Sequence, residues 1–280
     1  MKQNPFLLTL LLTVLMGCSD ANKDVTKVST ASANVSVLPF EFLMEGLDRQ
    51  RTVRLYLPPD YESSAQSYPV LYMHDGQNVF DDTSSYAGEW GVDESLNQLA
   101  ATTGLGLIVV AIDNGAEFRM NELSPWENKR FGPAQGKQYM DFIVDVVKPY
   151  IDSNYRTKPE VQHTAIMGSS MGGLISHYAI HAYPQVFGKA GIFSPSYWYS
   201  PDVFVFTQQH KANLKAKLYV MYGDKEGDGM IADTARMQRQ LEVQGHPRIN
   251  TLFKRVVGGE HNEKLWRGEF TEAIQWLFAD

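Results

Sequence analysis

Apolar residues in this chain fall into short runs, separated by stretches where they recur every three or four positions. The runs Val70–Met73, Leu107–Ile112, His163–Met167, Lys189–Phe193, Lys217–Tyr222 and Thr251–Val257 predict strands. Several are continuously apolar, as strands buried on both faces of a parallel sheet must be. Between them, Tyr139, Phe142, Ile143, Val146, Val147, Tyr150 and Ile151 form one stripe at helical spacing. Pro149 falls inside that stripe and should kink the helix or end it early. Met230–Val243 and Leu265–Phe278 predict two further helices. Upstream, Phe40–Met44 and Thr52–Leu57 read as a β-hairpin with a longer loop. Strand alternating with helix predicts an α/β fold: a mostly parallel, doubly wound sheet with an antiparallel hairpin on its N-terminal side. No repeat of fixed period and no large apolar lid interrupts the pattern. Two long loops, Asp113–Lys137 and Ser194–Pro201, are placed where loops on a parallel sheet build a site.

The first residues follow a different rhythm. Phe6–Met16 is an apolar run of eleven residues behind Lys2. A bilayer needs about 20 apolar residues, so the run suits the core of a signal peptide. Leu15-Met16-Gly17-Cys18 then resembles a bacterial lipobox, with Cys18 as the lipidated residue; the other reading is a plain secretory signal followed by a chance cysteine. Cys18 is the chain's only cysteine and stands where the lipobox needs it. Ser19 behind it points by sorting rules to the outer membrane, facing the periplasm. Residues 18–36 are small, polar and unpatterned, which predicts a flexible tether. The expected organisation is a signal peptide over 1–17, a tether over 18–36 and one α/β domain over 37–280.

Composition narrows the function classes. The 280 residues are 44% hydrophobic and 20% charged, which fits a globular protein with a large core. The formal net charge is −7, so a nucleic-acid partner is not expected, because phosphate binding needs a basic face. One cysteine excludes an intrachain disulfide and a cysteine-based zinc site.

The chemistry begins at Gly168-Ser169-Ser170-Met171-Gly172, a G-x-S-x-G pattern between a predicted strand and a helical pattern. A sharp strand-to-helix turn there lifts the Ser170 hydroxyl clear of the sheet, and the glycines leave room for the turn. The same turn aims the Met171 N–H at a bound carbonyl oxygen. In an α/β-hydrolase the order is serine, acid, histidine. His74 and His163 precede the serine, and His177 and His181 lie on the helix behind it. His210 and His246 sit in polar, exposed-looking surroundings. His261 follows the last strand, and an imidazole there can take and return the serine proton near neutral pH. The acid belongs in Gly223-Asp224-Lys225-Glu226-Gly227-Asp228-Gly229, with Glu226 ranked before Asp224 and Asp228. That loop has a trace of a calcium loop, but Ala235 stands where the bidentate glutamate is needed. The backbone N–H groups of Gln77 and Met171 are the candidate oxyanion donors, with Gly76 letting the chain turn. No metal or organic cofactor is required.

These pieces together resemble the putative-esterase family of α/β-hydrolases, which includes feruloyl, acetyl-xylan and siderophore-lactone esterases and mycolyltransferases. The resemblance is carried by His74-Asp75-Gly76-Gln77-Asn78, Asp113-Asn114-Gly115 with Arg119, Tyr155-Arg156-Thr157, Gly168–Leu174, Ser194-Pro195-Ser196-Tyr197-Trp198, Gly223–Gly227 and Gly259-Glu260-His261-Asn262 with Trp266-Arg267. It implies that the acid stands three residues after the glycine ending its strand, which is Glu226; many relatives carry Asp there. It also implies that Trp198 and Arg119 border the substrate cleft, against the plainer readings of a buried aromatic and an ion pair with Glu122. The expected activity is a serine carboxylesterase on a small-molecule or glycan ester. The alternatives are acyl transfer on the same fold, and a non-catalytic lipoprotein that binds saccharides through Trp90, Trp126 and Trp198.

Overall fold

The alternation of apolar runs resolves into one eight-stranded sheet in a computed structural model that describes residues 28–279. The expected signal peptide, Cys18 and the start of the tether lie outside the described residues. The strands are β1 (Val35–Val37), β2 (Phe42–Met44), β3 (Arg49–Arg51), β4 (Val53–Tyr56), β5 (Val70–His74), β6 (Ile108–Ile112), β7 (Thr164–Ser169), β8 (Lys189–Phe193), β9 (Lys217–Gly223) and β10 (Thr251–Val256). The main sheet runs β1-β4-β6-β5-β7-β8-β9-β10, parallel from β6 to β10, with β4 and β1 added antiparallel.

The helices are α1 (Val92–Thr103), α2 (Arg119–Glu122), α3 (Gly136–Phe142), α4 (Lys148–Asn154), α5 (Met171–Ala182), α6 (Asp202–Gln209), α7 (Asp228–Val243) and α8 (Glu263–Phe278). Successive strand residues face opposite sides. Val70 and Tyr72 of β5 enter a core with residues of α3, α4 and α5. Leu71 and Met73 enter a second core with α1 and α8. Both faces are therefore covered, and the continuous apolar runs are explained.

The N-terminal region differs from the expected hairpin in its partner strand. β2 pairs antiparallel with β3, the polar run Arg49-Gln50-Arg51, whereas Val53–Tyr56 belongs to the main sheet. Arg49 and Arg51 are held by the buried carboxylate of Glu122. The expected tether is also shorter at its C-terminal end. Ser29 and Thr30 bond to Asp81 and Glu89, the Ser32 N–H donates to Asp93 at 2.7 Å, and β1 begins at Val35, within the span assigned to the tether. Around Pro149 the chain does not stop: α3 passes through one π-turn, Ile143–Val147, into α4, where Pro149 occupies the first turn. Proline offers no N–H to the preceding turn, and the helix reaches it through the π-turn, where the Lys148 N–H donates to Ile143 O.

The crossovers diverge at the middle of the sheet. From β5 the chain moves to β6 on one side, and from β7 to β8 on the other. The crevice at such a switch point, beyond the carboxyl ends of the strands, is where doubly wound folds bind ligands. β5 ends there in His74-Asp75-Gly76-Gln77, and β7 ends there in Ser169-Ser170.

Candidate active site

Two cavities of similar size open at opposite ends of the parallel strands. One, of about 720 Å³, lies at their amino ends among Tyr68, Lys158, His163 and Lys217. The other, of about 630 Å³, lies at the switch point and holds Gln77, Arg119, Ser170 and His261. Only the second brings the candidate nucleophile, base and oxyanion loop to one wall.

Ser170 is built as the strand-to-helix turn predicts. Its backbone is at φ 59, ψ −116, a region that residues with a Cβ rarely occupy. The turn is held because the Ser170 N–H donates to Phe193 O (2.9 Å) and the Ser196 N–H donates to Ser170 O (3.0 Å). Gly168 and Gly172 pack backbone to backbone: a Cβ on Gly168 would stand 2.9 Å from Gly172 Cα. The Ser170 hydroxyl lies 3.2 Å from Ser196 Oγ and makes no hydrogen bond to His261. Such contacts are often loose before substrate is bound.

His261 and Glu226 are joined directly. The imidazole Nδ1 meets Glu226 Oε2 at 2.6 Å, leaving Nε2 as the ring's free nitrogen. The Glu226 side chain is 1% exposed, against 39% for His261. Gly223 and Gly259 bring the two loops together, since any side chain on Gly223 would strike the Gly259 carbonyl. Asp224 is turned away: it accepts from the Gly258 N–H at 2.7 Å and faces Arg255. Asp228 is an exposed residue in the first turn of α7. Asn262 caps α8 through its side chain, accepting from the Leu265 N–H, which fixes the residue directly after His261.

The oxyanion candidates lie at two helix starts. Met171 opens α5, and Gln77 lies in the single 3-10 turn Gly76–Asn78. First-turn N–H groups have no intrahelical acceptor, so both amides are open to a ligand. The Gln77 loop is clamped from below. Asp75, at φ 57, takes a forked contact from Arg119 at 2.6 and 2.9 Å and a bond from Asn114 at 2.6 Å. Gln77 Oε1 accepts the Asn114 N–H at 3.0 Å. Burial pushes the Asp75 carboxyl up, but Arg119 and Asn114 outweigh it and hold the group below its ordinary value. Burial pushes the His74 imidazole down to about 4, so it is neutral at physiological pH. Its Nδ1 meets the Tyr139 hydroxyl at 2.8 Å, and its Nε2 is buried without a partner. Glu263, on the cavity wall, is raised by burial and then by Asp75. Among the described residues, no group of three or more His, Cys, Asp and Glu side chains is placed to hold a metal ion.

A family model described as Putative esterase matches residues 44–277. The chain belongs to that family. Among curated proteins, it is similar to the uncharacterized protein YbbA of Bacillus subtilis, 29% identical over 82% of this chain and 93% of that protein. It is also similar to the iron(III) enterobactin esterase of Dickeya dadantii, 26% identical over 91% of this chain and 57% of that protein. Among solved structures, the enterobactin esterase of Shigella flexneri superposes with a TM-score of 0.72 at 19% identity, covering 89% of this chain and 60% of that one. The BES protein of Bacillus cereus superposes with a TM-score of 0.68 at 16% identity, over 91% and 99%. The fold is thus that of the α/β-hydrolase esterases, and the protein is a carboxylic ester hydrolase.

Some other side chains of this esterase fall where the sequence reading has them and some do not. Arg119 lines the cavity, but its partner is Asp75 and not Glu122. Trp198 is 56% exposed, packs edge-on against Phe131 and does not line the cavity. The three tryptophans form no common platform. Trp90 is buried against Phe193 and Trp266, and Trp126 packs on Tyr178 and Phe206. His246, expected in polar surroundings, is buried and bonds Ala216 O at 2.9 Å. Tyr86 and Trp266, which the sequence did not single out for the cavity, line it.

Proposed function

We propose that the protein is a serine carboxylesterase that works through an acyl-enzyme on Ser170. The observation that carries this reading is the 2.6 Å Glu226–His261 contact opening onto the same cavity as the strained Ser170 turn. In this reading the Ser170 hydroxyl attacks the ester carbonyl, and its proton passes to His261 Nε2. Glu226 keeps the imidazole in the tautomer with Nδ1–H and stabilises the imidazolium. The tetrahedral oxyanion is held by the Gln77 and Met171 amides. Collapse breaks the ester C–O bond, and the departing alcohol takes the proton from His261. Water then attacks the acyl-enzyme with His261 again as base, releasing the acid and restoring Ser170.

The substrate class proposed is an aromatic or carbohydrate acyl ester of feruloyl, siderophore or acetyl-glycan type. The aromatic edge of the cavity, from Tyr86, Trp90 and Trp266, supports it, as do the relatives named for enterobactin and feruloyl esters. The chain is further read as a lipid-anchored protein of a bacterial cell envelope, at the outer membrane and facing the periplasm, with Cys18 lipidated. The apolar run Phe6–Met16 and the Leu15–Cys18 sequence support that placement.

Turnover of p-nitrophenyl acetate and labelling by a fluorophosphonate are the direct test. Ser170→Ala is expected to abolish labelling and to lower kcat by at least about 10⁴-fold; retained turnover would defeat the reading. A panel of methyl ferulate, acetylated xylan and a catecholate lactone separates the substrate classes by kcat/KM. Cells fed labelled palmitate are expected to label the wild-type protein and not Cys18→Ser.

A further inference from the structure

The Glu226 carboxylate is held by more than its own loop. Its Oε1 accepts from the Gly223 N–H at 2.6 Å and from the Ser194 hydroxyl at 2.7 Å. The Ser194 hydroxyl in turn accepts from the Trp266 indole N–H at 2.9 Å. An indole nitrogen only donates, so it occupies a lone pair of the hydroxyl and leaves the hydroxyl proton to point at the carboxylate. The Trp266 ring also stands edge-on to the His261 ring, 5.1 Å away at 89°. Trp266, Ser194, Glu226 and His261 thus form one connected circuit that joins the ends of β8 and β9 to the first turn of α8.

Ser194 is completely buried, and its own N–H is tied to Met221 O at 2.7 Å. Its backbone lies at φ 44, in the left-handed region that glycine enters freely and a residue with a Cβ enters only under strain. A glycine would relax the backbone there, yet only a hydroxyl can receive the indole N–H and pass a proton contact to Glu226. Strain kept at a point where the side chain meets a reactive group marks a functional requirement.

We infer that Ser194 is a positioning residue for ester hydrolysis. It fixes the Glu226 rotamer so that Oε2 stays aligned with His261 Nδ1, and Trp266 orients the Ser194 hydroxyl for that task. This inference rests on the proposed roles of Ser170, His261 and Glu226.

The test uses two substitutions with opposite effects on the backbone. Ser194→Ala and Ser194→Gly both remove the hydroxyl, but only glycine relieves the strain. Both are expected to lower kcat for p-nitrophenyl acetate about tenfold, the loss for one hydrogen bond to a charged group, with KM unchanged. The glycine variant should melt at a higher temperature than the alanine variant while losing just as much kcat. A residue important only for folding would instead let kcat follow the melting temperature. In a Glu226→Ala background, adding Ser194→Ala should change kcat by less than about twofold, because Ser194 acts through that carboxylate. Single variants that keep kcat within twofold of wild type, or a tenfold loss persisting without Glu226, overturn the inference. Ser170→Ala serves as the separate control: if it still turns over ester, the catalytic reading has failed whatever Ser194 does.

Discussion

Among the described residues, five without glycine's freedom have positive φ: Asp48, Asp75, Ala116, Ser170 and Ser194. Three of them, Asp75, Ala116 and Ser170, line the cavity, and Ser194 lies directly behind it. Strain is concentrated where amides and hydroxyls must be aimed. Gly76 shows how narrow the tolerance is. A Cβ on it would stand 2.7 Å from Asp113 Oδ1 and 2.8 Å from the Ala111 carbonyl, so the loop carrying the Gln77 amide would have to move. Gly76→Ala is expected to lower kcat about 10²-fold or more with little change in KM, the cost of one misplaced oxyanion donor. Gln77→Ala keeps the amide and loses only the bond from Asn114 N–H, so its loss should be about tenfold. Stopped-time assays on both variants decide between backbone and side chain; equal losses would remove the amide from the mechanism. Motif and chain order pointed to Ser170, to His261 and to the loop Gly223–Gly229, where Glu226 ranked before Asp224 and Asp228 with the support of the family resemblance. They could not single out Ser194 from its Ser-Pro-Ser-Tyr-Trp loop, since neither a φ of 44 nor a bond to a residue 32 positions away is written in local pattern.

At the scale of elements, α5 carries the proposed nucleophile at its start and a buried histidine pair along its length. His177 and His181 stack at 4.7 Å; His177 is bonded to Thr207 and Tyr197, and His181 to His210 O. Burial pushes His177 down, with His181 adding, and pushes His181 down to about 4. The unfolded chain therefore takes these protons first on acidification. Stability from a neutral buried His181 is complete above pH 6.5 and drains away as pH falls towards about 4. Carboxylates raised above their ordinary values, Glu89, Glu94 and Glu263, act with the opposite sign, so the test compares slopes and not single melts. His181→Gln is expected to be less stable than wild type at pH 7, with the deficit shrinking by about 2 kcal/mol at pH 4.5 in urea titrations. A deficit constant with pH would mean that His181 does not titrate with unfolding. The strand runs of the parallel sheet were legible because both faces are apolar. β3 was not, because Arg49-Gln50-Arg51 carries no apolar signal; it is ordered by the distant Glu122. The π-turn before Pro149 was likewise hidden, since the apolar stripe continues unbroken through it.

For the whole molecule, the sheet order sets the cavity and the N-terminal arm sets one of its walls. Residues 29 and 30 are bonded to the segment that carries Tyr86 and Trp90 into the cavity. Ser29 and Thr30 hold its two ends through Asp81 and Glu89, and the Glu89 carbonyl accepts from Arg267 of α8. β1 then covers the free edge of β4, which would otherwise present unpaired backbone groups. An arm fastened on both sides should therefore affect substrate binding as well as stability. A protein beginning at residue 28 retains every one of these contacts and is expected to match the full chain in melting temperature, kcat and KM. A protein beginning at residue 38 loses several hydrogen bonds and a strand pairing; its melting temperature should fall by about 5–10 °C. Because the freed wall borders the cavity and makes no hydrogen bond to the Glu226–His261 pair, KM should rise more than kcat falls. The comparison is clean, since both proteins keep Ser170, Glu226, His261 and the loops between them. If the shorter protein melts lower but binds ester as before, the arm only seals the sheet edge. If KM rises alone, the arm shapes the cleft without contributing to the stability of the fold.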